Sequence, residues 1–74
     1  MKAKPHKNAT AERITTLERE LPMWERKLHE ALGYYRDADA AGAQQMADVY
    51  YRHAKNIGER IEKYKSELHA LKTS

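Results

Sequence analysis

Apolar residues recur along this chain in two long runs of helical period. In the first, Ile14, Leu17, Leu21, Trp24, Leu28, Ala31 and Tyr35 follow one another at alternating steps of three and four. In the second, Ala47, Tyr50, Ala54, Ile57, Ile61, Tyr64, Leu68 and Leu71 do the same. Polar and charged residues fill the positions between. This spacing marks the a and d seam of a heptad pattern, sustained in each run over about three to four heptads. It predicts an all-α chain with one helix over about 10–38 and a second over about 43–72, joined by a turn at about 39–42.

Folding the chain back on itself at that turn brings the two seams into register. Ile14 then lies opposite Leu71, Leu17 opposite Leu68, Leu21 opposite Tyr64 and Trp24 opposite Ile61. Nearer the turn, Leu28 lies opposite Ile57, Ala31 opposite Ala54, Tyr35 opposite Tyr50 and Ala38 opposite Ala47. Each seam residue finds a seam partner, and small layers meet small layers. Two unrelated amphipathic helices would not need this matching. The expected fold is therefore an antiparallel two-helix hairpin, coiled-coil-like, with the option of pairing into a four-helix bundle.

Local signals agree with the hairpin and place its irregularities. Gly42 suits the positive φ of a helix C-terminus or tight turn. Asp37 or Asp39 is a candidate cap for the loop or the second helix, and Asn8 or Thr10 for the first. Pro22 removes one backbone hydrogen bond inside the first helix. The register is the same on both sides of it and it occupies an outward b position, so a kink near Pro22 is expected rather than a break. Gly58 costs the second helix about 1 kcal/mol relative to Ala and flanks the seam, where it could admit a close neighbour.

The residues beside the seam change in character along the rod. Toward the open end they are charged: Arg13, Glu18, Glu20, Glu25, Lys65, Glu67 and Lys72. By facing position, Glu18 is expected to pair with Lys65, while Glu20 meets Glu67 and Lys27 meets Arg60. Those two like-charge pairs call for relief by a diagonal Glu20–Arg60 contact or by another molecule. Toward the turn the flanks become apolar. Leu32 and Tyr51 fall on one side, Tyr34, Met46 and His53 on the other, with Val49 outside them. A lone hairpin cannot bury a seam and both flanks, so these six residues are the expected partner- or dimer-binding surface.

Composition narrows the function classes. Seventy-four residues form at most one small domain. There is no Cys, which removes disulfides and thiolate metal sites. The basic start lacks the apolar stretch of a signal peptide and no run approaches a membrane span, so a cytoplasmic setting is the default expectation. Formal net charge is +3, from 14 Lys/Arg against 11 Asp/Glu. Lys2, Lys4 and Lys7, in an expected disordered arm over 1–8, supply all of it, and the rest is neutral. Those three lysines are the candidate nucleic-acid contacts, but no whole-domain basic footprint supports them.

Candidate chemistry is sparse. Residues 37–48, "DADAAGAQQMAD", partly match a calcium-binding loop through Asp37, Asp39, Gly42 and Asp48. Ala41 stands where an oxygen ligand belongs, Asp48 where a bidentate Glu belongs, and such a loop would splay the helices. "HEALG" at 29–33 begins like a zinc-protease helix, but Gly33 replaces the second His. His6, His29, His53 and His69 form no i, i+4 pair. No cofactor, metal or enzymatic activity is expected.

Two resemblances attach to these residues. Residues 42–57, "GAQQMADVYYRHAKNI", resemble the second helix of a tetratricopeptide repeat, with Ala47, Tyr51 and Ala54 at its spacing, but the first-helix signature and a second repeat are missing. The overall plan, with "DAD" near the turn, is similar to the plasmid repressor-of-primer family, which implies a hairpin that dimerises into a four-helix bundle. That likeness is architectural and carries over no functional residue. The sequence thus predicts a small non-enzymatic hairpin that binds and regulates or inhibits a larger protein partner. A dimeric nucleic-acid binder using the basic arm is the alternative, and a purely structural coiled coil the third reading.

Overall fold

The computed structural model describes residues 5–73, with side chains from residue 9 onward. Two helices account for almost all of them. Helix α1 runs Pro5–Ala40 and α2 runs Gln44–Thr73, packed side by side as an antiparallel hairpin with extents of 61 × 20 × 15 Å. Both runs of helical period thus become single long helices.

The seam is where the sequence places it. Leu17, Ala31, Ala47, Ala54, Ile57 and Ile61 are buried, and every other seam residue is partly covered. Ala31, Ala54, Ile57 and Ile61 form one cluster, against which Leu21, Trp24 and Leu28 pack. The matched pairs Ala31–Ala54, Leu28–Ile57 and Trp24–Ile61 all fall inside it. Among the described residues no polar side chain is buried, so the core carries no desolvation cost to offset.

The turn is closed by backbone alone. The N–H of Ala43 donates to the carbonyl of Ala38 at 2.9 Å and that of Gly42 to Asp39 at 3.1 Å. This 6→1 and 5→2 pair is the Schellman arrangement, which needs a left-handed residue at its centre. Gly42 supplies it with φ of 77°, the one positive φ among the described residues. Ala43 then opens α2, its carbonyl accepting from Ala47 N–H at 2.9 Å. The expectation that an Asp37 or Asp39 carboxylate caps this turn is corrected. Their backbone carbonyls are used instead, because so tight a turn places Ala43, not an aspartate, before the first residue of α2.

One further difference concerns the start of α1. It begins at Pro5 rather than near residue 10, so residues 5–8 of the expected arm extend the helix. Pro5 has the fixed φ and missing donor that suit a first helical position, and nothing between it and Ile14 breaks a helix. Residues 1–4, with Lys2 and Lys4, lie outside the described residues, as does the side chain of Lys7. Pro22 is accommodated inside a continuous α1, exposed and facing away from α2.

The register has a direct test. With Leu28→Cys and Ile57→Cys, oxidation is expected to give an intramolecular disulfide that leaves helicity intact and adds about 3 kcal/mol over the reduced form. Exclusive cross-linking between chains in dilute solution would show that these positions do not face each other.

Candidate functional site

The two flanks of the seam are different surfaces, and the tyrosines show how they arise. Tyr35 and Tyr50 share a seam layer but do not pair with each other. Tyr34 packs at a tilt against Tyr50 with ring centroids 5.4 Å apart, and Tyr35 against Tyr51 at 5.6 Å. Each half-buried seam ring therefore leans to the opposite flank and meets the other helix's exposed ring. The layer is too narrow for two phenols side by side, and leaning outward brings the hydroxyls to water while the rings stay in contact.

One flank combines ion pairs with an apolar end. Glu18 pairs with Lys72 at 2.6 Å and Glu25 with Lys65 at 3.8 Å. The expected Glu18–Lys65 pair is thus corrected: each acid meets a lysine one heptad, about two turns, farther along α2. Side chains tilt toward the N-terminus of their own helix, so antiparallel e residues meet off the level of their Cα atoms. Both pairs are about half exposed, which keeps their contribution within about 1 kcal/mol each. Beyond them this flank carries Gly58, Leu32 and Tyr51. A Cβ on Gly58 would meet nothing within 4 Å, so no neighbour within the chain requires the glycine.

The other flank is built around Trp24. The Arg60 guanidinium lies 4.7 Å and the Lys27 ammonium 5.9 Å from its ring centroid. The like-charge pair read from sequence is relieved by this aromatic face, since both cations are attracted to the ring. The diagonal Glu20–Arg60 ion pair is not formed among the described residues. Nor does Glu67 stand against Glu20 alone: it accepts two hydrogen bonds from Arg13, from Nε at 2.8 Å and Nη2 at 3.0 Å. Arg13 also lies 5.7 Å from the Tyr64 ring.

Between Trp24 and the Tyr34–Tyr50 pair lies an open groove of about 400 Å³. Ala31 and Ile57 form its floor, with Lys27, Glu30 and His53 on its rim. Sequence reading placed Tyr34 and His53 here but took Trp24 as core alone. The missed signal is the pair of g-position cations beside the only Trp in the chain.

The expected surface residues are exposed but do not form one patch. Leu32 is 38% exposed, and Tyr34, Met46, Val49 and Tyr51 are each half exposed or more. His53 is exposed too. Leu32 and Tyr51 lie on the ion-paired flank, and Tyr34, Met46 and His53 on the Trp24 flank, with Val49 on its outer side. Met23, on the outer side of α1, is also half exposed and was not singled out from sequence.

No family model, curated protein or solved structure gives a significant match to this chain. The likenesses to the tetratricopeptide repeat and to the repressor-of-primer family therefore gain no support. Among the described residues no group of His, Asp or Glu side chains is placed to hold a metal ion, and no helix is long and apolar enough to cross a membrane.

Electrostatics add one titrating contact. The hydrogen bonds from Arg13 hold the Glu67 carboxyl below its ordinary value of 4.5, against a weaker opposing effect of desolvation. A depressed acid stabilises the fold above its unfolded value and loses that contribution as pH falls through its folded value. The open end should therefore loosen in acid below about pH 4.5, and Glu67→Gln should remove that part of the acid slope seen by circular dichroism. An unchanged slope would mean that the contact does not persist in solution. Trp24 emission offers a second check. Arg60→Ala should shift it to longer wavelength with helicity unchanged, and an unshifted spectrum would show that the guanidinium does not cover the ring.

Proposed function

We propose that the chain is a non-enzymatic helical hairpin that binds a protein partner through its turn-proximal half and regulates or inhibits that partner by occupying its surface. The observation that carries this reading is the change in the flanks along the rod. Ion pairs bridge the helices at the open end, whereas the apolar residues beside the turn stay exposed, although burial is what would reward them. Leu32, Tyr51 and Gly58 make the most economical contact surface. The two large side chains supply anchors, and the glycine lets a partner's backbone come close at a position where the chain itself gains nothing from it. The described residues offer an open groove rather than an enclosed substrate cavity, which favours binding over catalysis.

The test uses two variants with opposite effects on stability. Leu32→Lys together with Tyr51→Lys should leave the helicity intact and weaken capture of a partner by about 30-fold or more, the effect of losing an anchor worth about 2 kcal/mol. Gly58→Ala should raise the stability of the hairpin by about 1 kcal/mol while weakening the same capture. A partner retained at full affinity by both variants would place the functional surface elsewhere.

A further inference from the structure

Among the described residues, two cations crowd the Trp24 ring with no carboxylate paired to either. The Arg60 guanidinium lies 4.7 Å and the Lys27 ammonium 5.9 Å from the ring centroid. The ion pairs are Arg13–Glu67, Glu25–Lys65 and Glu18–Lys72, and neither Lys27 nor Arg60 enters one. For Arg60 the cause is local. Its neighbours three and four residues away on α2 are Asn56, Ile57, Lys63 and Tyr64, none of them acidic.

These cations stand at one end of an apolar groove. The 400 Å³ space over Ala31 and Ile57 adjoins a second of about 200 Å³ that reaches Asn56 and Arg60, and Trp24, His53 and Ile57 line both. Along α2 the two run from Tyr50 to Arg60, which is about 15 Å of helix. The groove is therefore cationic where Arg60 and Lys27 meet Trp24 and apolar toward Tyr34 and Tyr50.

We propose that this groove binds a short amphipathic segment of a protein partner, with one Asp or Glu of that segment seated between Arg60 and Lys27 and its apolar side chains laid over Ala31 and Ile57. Charge selects the acid. A carboxylate can accept from the guanidinium and the ammonium together, and such charge-assisted hydrogen bonds are stronger than neutral ones. The ring already holds both cations at the groove, which lowers the entropy lost in positioning them. Shape selects a segment of a larger molecule. An open groove covers one side of its occupant, whereas a small ligand needs most of its surface enclosed. A partner helix laid along it presents an acid and apolar residues three and seven positions away to the same side. Nucleic acid fits less well. Glu30 stands on the groove rim, where a phosphate backbone would meet charge of its own sign, and residues 8–74 carry no net charge to attract one.

This groove lies on the flank opposite Leu32, Tyr51 and Gly58, so it is a second contact surface and stands or falls apart from the reading above. The probe is a Trp-free helical peptide with one Glu at its centre, Leu three and seven residues to either side, and Ala and Gln elsewhere. Two companions carry Gln or Lys in place of the Glu. Binding is followed by the emission of Trp24, the one Trp of the chain, and by amide shifts in the full chain. The Glu peptide should bind at least about 10-fold tighter than the Gln peptide, the Lys peptide should be weakest, and the shifts should centre on Trp24, Ala31, His53 and Ile57. Lys27→Gln with Arg60→Gln should keep the helicity and erase the preference for Glu. Leu32→Lys with Tyr51→Lys should retain it. Equal binding of the Glu and Gln peptides, a preference that survives Lys27→Gln with Arg60→Gln, or no shift at millimolar peptide would each overturn the proposal. So would oligothymidylate binding the groove more tightly than the Glu peptide, or a wild-type dimer whose groove amides shift on dilution, since nucleic acid or a second copy would then be the occupant.

Discussion

The close approach of α1 and α2 at Ala31 and Ala54 is the constraint on which the rest of the hairpin depends. Both alanines are almost fully buried, and Leu28, Ile57, Trp24 and Ile61 pack in the layers beside them. A small–small layer draws the helix axes together. Large side chains at d and a positions then have to leave the seam sideways rather than across it. Trp24 leans to one flank, where Arg60 and Lys27 cover it. Tyr35 and Tyr50 lean to opposite flanks and pair with Tyr51 and Tyr34. The surface chemistry of the rod is therefore set by the width of its seam.

The flanks also divide the molecule into an open end bridged by charge and a turn end that is apolar. The ion pairs Glu18–Lys72, Glu25–Lys65 and Arg13–Glu67 bridge the helices in the half away from the turn, on either side of the buried Leu17 and Ile61. At the other end the Schellman turn fixes the connection without any side-chain cap, which leaves the Asp37 and Asp39 carboxylates free of that task. The partner binding proposed for the turn-proximal half rests on its exposed apolar residues.

Much of the fold was legible in the sequence because an antiparallel seam over-determines itself. A one-residue slip would set Ala31 against a large residue and leave Leu28 without its partner. The position of Gly42 and the continuity of the period across Pro22 were readable for the same reason. The flanks were less legible. Glu18 and Lys65 face each other by number, yet side-chain tilt sends each to a different partner. Trp24 reads as a core residue from its seam position, and its service as a platform for Arg60 and Lys27 depends on a lean that no period encodes. The start of α1 was set too late because Asn8 and Thr10 resemble caps, whereas Pro5 begins the helix.

Native-state hydrogen exchange resolved by residue tests the central claim most directly. If the Ala31–Ala54 layer locks the two helices into one unit, the slowest amides should lie in residues 28–31 and 54–61, with one shared opening free energy in both helices and a decline toward the open end. Slow exchange confined to one helix, or protection that peaks at the open end, would contradict the account.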